Sequence, residues 1–242
     1  TVDLRVPAVW APDGASVVFR RSDADGYALI ALPAGGGDER VLARSDAATA
    51  LFPVGFSPDA SRFYQVSLDA SGSRLVAIDV ASGRQTEFAL LAPGLTRDWS
   101  LSKDGSKLAF LSMSFTSEAV NARAFVLDLE TALLTPVTDA AVNAFGPVWA
   151  SDSTLLVGTL RAGGTSALVR FDGTTTTALP STTRGFDVPL GFARDGRSYL
   201  VRAFSGASAV APGVATLTLV DENGGRQVIA AGDVTFAGWS AP

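Results

Sequence analysis

One short phrase recurs five times along this chain of 242 residues. The copies read Trp10-Ala-Pro-Asp13-Gly, Phe56-Ser-Pro-Asp59-Ala, Leu101-Ser-Lys-Asp104-Gly, Trp149-Ala-Ser-Asp152-Ser and Phe192-Ala-Arg-Asp195-Gly. Their aspartates lie 46, 45, 48 and 43 residues apart. Each copy joins an apolar residue to a turn and then to an apolar strand. A period of this length, with four strand-like segments in each repeat, predicts an all-β fold: a β-propeller of four-stranded antiparallel blades. A repeat of this kind buries its apolar face only against its neighbours, so one domain over residues 1–242 is expected.

The first repeat shows how a blade is written. Val6 to Ala11 is a short apolar strand. Pro12-Asp13-Gly14 is a tight turn, in which Pro presets φ, Asp accepts from nearby amides and Gly tolerates positive φ. Val17-Val18-Phe19, Tyr27–Leu32 and Arg40–Ala43 supply the other three strands. The later third strands, Leu75–Val80, Ala124–Leu129, Leu168–Phe171 and Thr216–Val220, are each followed by polar turn residues, the mark of antiparallel hairpins. No window sustains helical periodicity with caps. Five repeats are complete, and a sixth phrase opens at Trp239-Ser-Ala. Two closures are therefore open, five blades or six. Pro242, in the slot of the turn aspartate, favours five. The apolar residue that opens each phrase (Trp10, Phe56, Leu101, Trp149, Phe192 and Trp239) is expected to pack between neighbouring blades.

Composition excludes several chemistries. With no Cys and no His, the usual zinc sites and Ser-His or Cys-His nucleophiles cannot be built. A net charge of −5 and no Lys/Arg run give nucleic acid no electrostatic footing. No apolar stretch reaches transmembrane length, so a membrane-spanning segment is not expected. Asp23 and Asp25 alternate before Gly26 as calcium ligands do, but the third oxygen ligand and the distal Glu are missing, so a turn is expected there. No metal and no cofactor are predicted.

At its repeated phrase the chain resembles the WD40-like Pro-Asp repeat of TolB-type propellers. The family phrase is Trp-Ser-Pro-Asp-Gly followed by an apolar strand. Trp10-Ala-Pro-Asp-Gly with Val17-Val-Phe19, Phe56-Ser-Pro-Asp-Ala, and Asp104-Gly-Ser-Lys-Leu-Ala-Phe110 carry the likeness. Trp149-Ala-Ser-Asp152-Ser departs from it by lacking both Pro and Gly. The resemblance covers residues 7–242. It implies a bacterial periplasmic or extracellular protein that binds a protein or peptide partner on its propeller face.

Two groups of candidate binding residues follow. Loops from each fourth strand to the next first strand surround the channel of a propeller. They bring Arg97, Asp98, Arg184, Asp187 and Asp233 toward it, and Arg97-Asp98 replaces the Pro present at Pro7, Pro53 and Pro189. Solvated pore lining or local ion pairing is the simpler use of such residues. Ser112–Arg123 and Phe204–Val214 are long loops between second and third strands, and Met113 and Phe115 in the first offer an apolar partner surface. Folding over its own blade is the competing role for each loop. The expected function is a non-catalytic interaction scaffold of the bacterial envelope or exterior. The alternatives are a glycan-active hydrolase or lyase using pocket acids such as Asp98, Asp187 and Asp233, and a propeller module of a larger enzyme.

Overall fold

The computed structural model describes residues 6–116, 120–150, 153–161, 166–179, 182, 184–193, 195–232, 234 and 236. The described residues form twenty β-strands and no helix. Five four-stranded antiparallel sheets succeed one another along the chain. The first holds β1 (Val9–Trp10), β2 (Ser16–Ser22), β3 (Tyr27–Pro33) and β4 (Arg40–Ser45). The second holds β5 (Ala50–Phe56), β6 (Arg62–Asp69), β7 (Gly72–Asp79) and β8 (Gln85–Ala92). In the third are β9 (Thr96–Leu101), β10 (Lys107–Phe115), β11 (Val120–Asp128) and β12 (Leu134–Pro136). The fourth comprises β13 (Val142–Trp149), β14 (Leu155–Arg161), β15 (Ser166–Phe171) and β16 (Thr176–Leu179). The fifth comprises β17 (Phe186–Phe192), β18 (Tyr199–Phe204), β19 (Ala215–Val220) and β20 (Arg226–Ala231). Every sheet keeps its strands in chain order, so each repeat is one meander.

Contacts gather into two compact units. One comprises Thr1–Arg97, Asp104–Leu108 and Leu127–Leu133, the other Asp98–Lys103, Ala109–Val126 and Leu134–Pro242. In the first unit Phe56 meets Phe63 edge-to-face at 4.9 Å, within a cluster that includes Val18, Leu29 and Ile78. Burying a ring such as Phe63 stabilises the fold by roughly 1.5–3 kcal/mol. In the second unit Leu111, Ala124, Leu155 and Val157 join the third sheet to the fourth, with Trp149 packed against them. Its indole Nε1–H donates to the Ser100 carbonyl at 2.8 Å. Phe192 packs with Leu156, Leu168 and Tyr199, joining the fourth sheet to the fifth. Phe186 stacks between Phe145 and Phe204 at 5.1 and 4.9 Å.

The phrase residue therefore packs on the sheet of the preceding repeat at Phe56, Trp149 and Phe192. Trp10 differs from the expectation: it is 60% exposed. Trp239 lies outside the described residues. So do Asp152 and the rest of the sixth phrase.

The turn aspartates act as the phrase predicts. The Oδ1 atoms of Asp13, Asp59, Asp104 and Asp195 accept the backbone N–H two residues on at 2.9, 3.1, 3.0 and 2.9 Å. Pro58 of one turn lies under Gly105 of the next, where φ is +68° and a Cβ would strike the proline ring. A second series closes the third-to-fourth-strand turns: Asp79, Asp128, Asp172 and Asp221 each accept from amides two to four residues on. The spacing Asp79-x-x-Ser82, Asp128-x-x-Thr131 and Asp172-x-x-Thr175 was a legible signal for them. Asp23 Oδ1 accepts the Asp25 and Gly26 amides at 3.0 and 3.1 Å, so the alternating pair is a turn of the same kind.

Candidate functional site

The residues singled out in the sequence occupy different settings. Arg97 and Asp98 lie side by side on β9, both exposed. Asp98 has φ +54°, and Gly146, at the same distance before its own phrase residue, has φ +49°. The pairing registers slip beside Pro53, Gly146 and Pro189, which hold that position in the other sheets. Aspartate is one of the few residues with a side chain that tolerates this left-handed backbone, so its place on β9 has a structural cause. Arg184 is exposed just before β17, and its carbonyl accepts from Thr182 Oγ1 at 2.7 Å. The Asp187 side chain is 0% exposed and takes both ends of the Arg226 guanidinium at 2.9 and 2.8 Å. This bidentate pair ties the first strand of the fifth sheet to its last. It commits the Asp187 carboxylate to the fold, because a buried charge must keep its partner. Asp233 lies outside the described residues.

The long segment Ser112–Arg123 is mostly strand, contrary to the loop expected there. β10 runs to Phe115 and β11 begins at Val120. Met113 is half-buried and packs against the core cluster of Leu111 and Ala124. Phe115, two residues on and so on the same face, is 61% exposed, as is much of Val120 across the hairpin. Phe204–Val214 is closed by its own bonds: Ser205 N–H to Val214 O, and Gly206 N–H to Pro212 O.

The second unit carries a cleft of about 570 Å³ between its β11–β13 segment and one face of the fourth sheet. Small side chains make it. Ala167 faces Thr159, and Ala178 faces Val169. Counted from the phrase partner of each repeat, these alanines stand where the second sheet carries Arg74 and Glu87. There the space is filled by an ion pair at 3.5 Å. In the fourth sheet it stays open.

Arg123 enters the cleft from β11, already oriented. Its Nε–H donates to the Thr138 carbonyl at 2.8 Å, and its guanidinium lies 5.2 Å from the Phe125 ring centre. Thr138 is itself buried and fixed, its Oγ1 accepting the Ala124 N–H at 3.0 Å. These contacts leave the two Nη groups as the outward edge of the fork. Arg161 and Asp139 also line the cleft, both exposed and 3.6 Å apart, too far for a hydrogen bond. Arg123 and Arg161 are not among the residues singled out from the sequence. Alanines at 167 and 178 against larger residues at 74 and 87 were the available signal.

The family model of the lipoprotein LpqB β-propeller domain matches residues 1–203. The chain belongs to that family. Its fold is a β-propeller of four-stranded antiparallel sheets with TolB-like neighbours. TolB of Acinetobacter baumannii superposes with a TM-score of 0.64 at 13% identity, over 94% of this chain and 54% of that one. A putative TolB of Agrobacterium tumefaciens gives 0.65 at 16%, over 93% and 80%. An oligogalacturonate lyase solved with manganese gives 0.67 at 15%, over 93% and 65%. The chain thus spans about half of the Acinetobacter protein. At these identities the likeness is one of fold. No curated protein sequence matches the chain. Among the described residues no helix is long and apolar enough to cross a membrane.

Proposed function

We propose that this chain is a non-catalytic, partner-binding propeller of the bacterial envelope or exterior, and that the cleft beside Arg123 is where the partner docks. The cleft carries the reading. It is a concave, mixed polar and apolar site in the size range of ligand pockets, with an arginine held ready by its neighbours. Membership in a lipoprotein domain family and the TolB-like neighbours support the envelope location. Of the acids named for a hydrolytic alternative, Asp187 is engaged by Arg226, which does not favour its use as a catalytic acid.

The purified chain is expected to bind a defined envelope protein and to convert nothing. Envelope proteins of the source bacterium would be retained on the immobilised chain, identified by mass and rebound in purified form. Wild type should rebind the partner and Ala178→Leu, which fills the cleft, should not. Product formation from oligogalacturonides or other glycans would contradict the reading, as would a partner held equally by both forms.

A further inference from the structure

We infer that the cleft takes the carboxylate of an extended peptide, with Arg123 as the anchoring group. This deepens the partner-binding reading and rests on it. Four observations lead there. First, the Arg123 fork is preorganised. Its Nε–H is spent on Thr138 and its face lies toward Phe125, so the Nη edge is presented in a fixed plane. A planar fork of this kind matches a carboxylate with two parallel bonds, and the ordering cost is already met by the fold.

Second, charge selects the ligand. Among the described residues two arginines and one aspartate line the cleft, a single positive charge in excess. That excess complements a monoanion, and the Asp139 carboxylate repels a phosphate dianion about twice as strongly as it repels a carboxylate. The Arg161–Asp139 pair is exposed and long, so it contributes little and separates readily as a ligand enters. Third, the walls suit short apolar side chains: Val137, Val142 and Val169 line the same space as Thr159 and Thr176. Fourth, β16 is the last strand in its sheet, and Thr176, Thr177 and Ala178 on it are exposed. An edge strand offers unpaired backbone groups to an added strand. A peptide lying along β16 would gain main-chain bonds from this edge while its acid reaches Arg123.

Amide NMR of the chain, titrated with acetyl-Val-Glu-Val-Thr-amide, its glutamine counterpart and inorganic phosphate, tests this. The glutamate peptide is expected to shift Arg123, Ala167 and Ala178 amides with a Kd on the order of 1 mM or tighter. The glutamine peptide should bind about tenfold more weakly. Phosphate should leave these amides in place. Arg123→Gln should erase the preference for glutamate, and Arg123→Lys, which keeps the charge without the fork, should not restore it. Ala178→Leu leaves the guanidinium untouched and should abolish binding of both peptides, which keeps the test valid if the Arg123 variants unfold. Equal affinity for the two peptides, shifts centred away from the cleft, phosphate binding at Arg123, or no binding would each overturn the proposal. Those results leave partner rebinding and lack of turnover unaffected, so they are distinguishable from failure of the broader reading.

Discussion

At Asp59 one carboxylate accepts the hydroxyl of Ser57 at 2.6 Å and both the amide and hydroxyl of Ser61. The Ser57 hydroxyl, then the Ser61 amide and hydroxyl, hold its pKa down to about 2. The Thr175 and Thr174 amides and the Thr175 hydroxyl do the same for Asp172, also to about 2. Asp69, Asp79, Asp128 and Asp195 are lowered by similar bonds. A carboxylate lowered in the folded state stabilises it above the unfolded pKa near ~3.9, and the contribution is lost as pH falls toward the folded value. The urea midpoint should therefore hold from about pH 7 to 5 and fall between about pH 4 and 2. Replacing Asp59 and Asp172 together by Asn should flatten that fall. Tyr199 has the opposite sign. Burial, then the Asp187 charge, raises its pKa. Its contribution is complete below about pH 10 and fades above it. Gly158 is the tightest case in the fourth sheet, where a Cβ would run into the Asp187 carbonyl oxygen. Gly158→Ala should cost about 1–3 kcal/mol in chemical denaturation.

Among elements, the β10–β11 hairpin separates core from surface within two residues. Met113→Asp places a charge against Leu111 and Ala124 and should destabilise by at least about 2 kcal/mol. Phe115→Asp, at the exposed end of the same strand, should stay within about 0.5 kcal/mol of wild type. Thermal denaturation of the two variants checks the contrast. This hairpin also shows where the sequence was hard to read. Met113/Phe115 and Val120/Ala122/Ala124 alternate with period two, as strands do, but the Ser and Thr among them read as a loop. The Pro-Asp turns and third strands were legible because a local bond within a few residues dictates each of them. Trp10 was not: its surroundings depend on which sheet precedes it, a matter of tertiary arrangement. The cleft was missed for the same kind of reason. Ala167 and Ala178 carry no motif, and their meaning lies in what they fail to fill. Arg123 gains its orientation from Thr138, 15 residues away.

For the molecule as a whole, the repeat determines the architecture and departures from the repeat determine the site. The first unit fills its counterpart position with Arg74 and Glu87, and the second leaves it open between Arg123 and the fourth sheet. A family defined by its propeller shares the architecture, and the proposed docking role assigns partner choice to such local differences. The most direct measurement is photo-crosslinking in the native envelope, with a benzophenone amino acid replacing either Thr177, exposed on the β16 edge beside the cleft and outside its lining, or its repeat counterpart Thr86. A discrete adduct from position 177, absent from position 86 and suppressed by acetyl-Val-Glu-Val-Thr-amide, is the predicted result. Adducts from both positions, from position 86 alone, or none from position 177 would contradict the assignment of the cleft as the docking site.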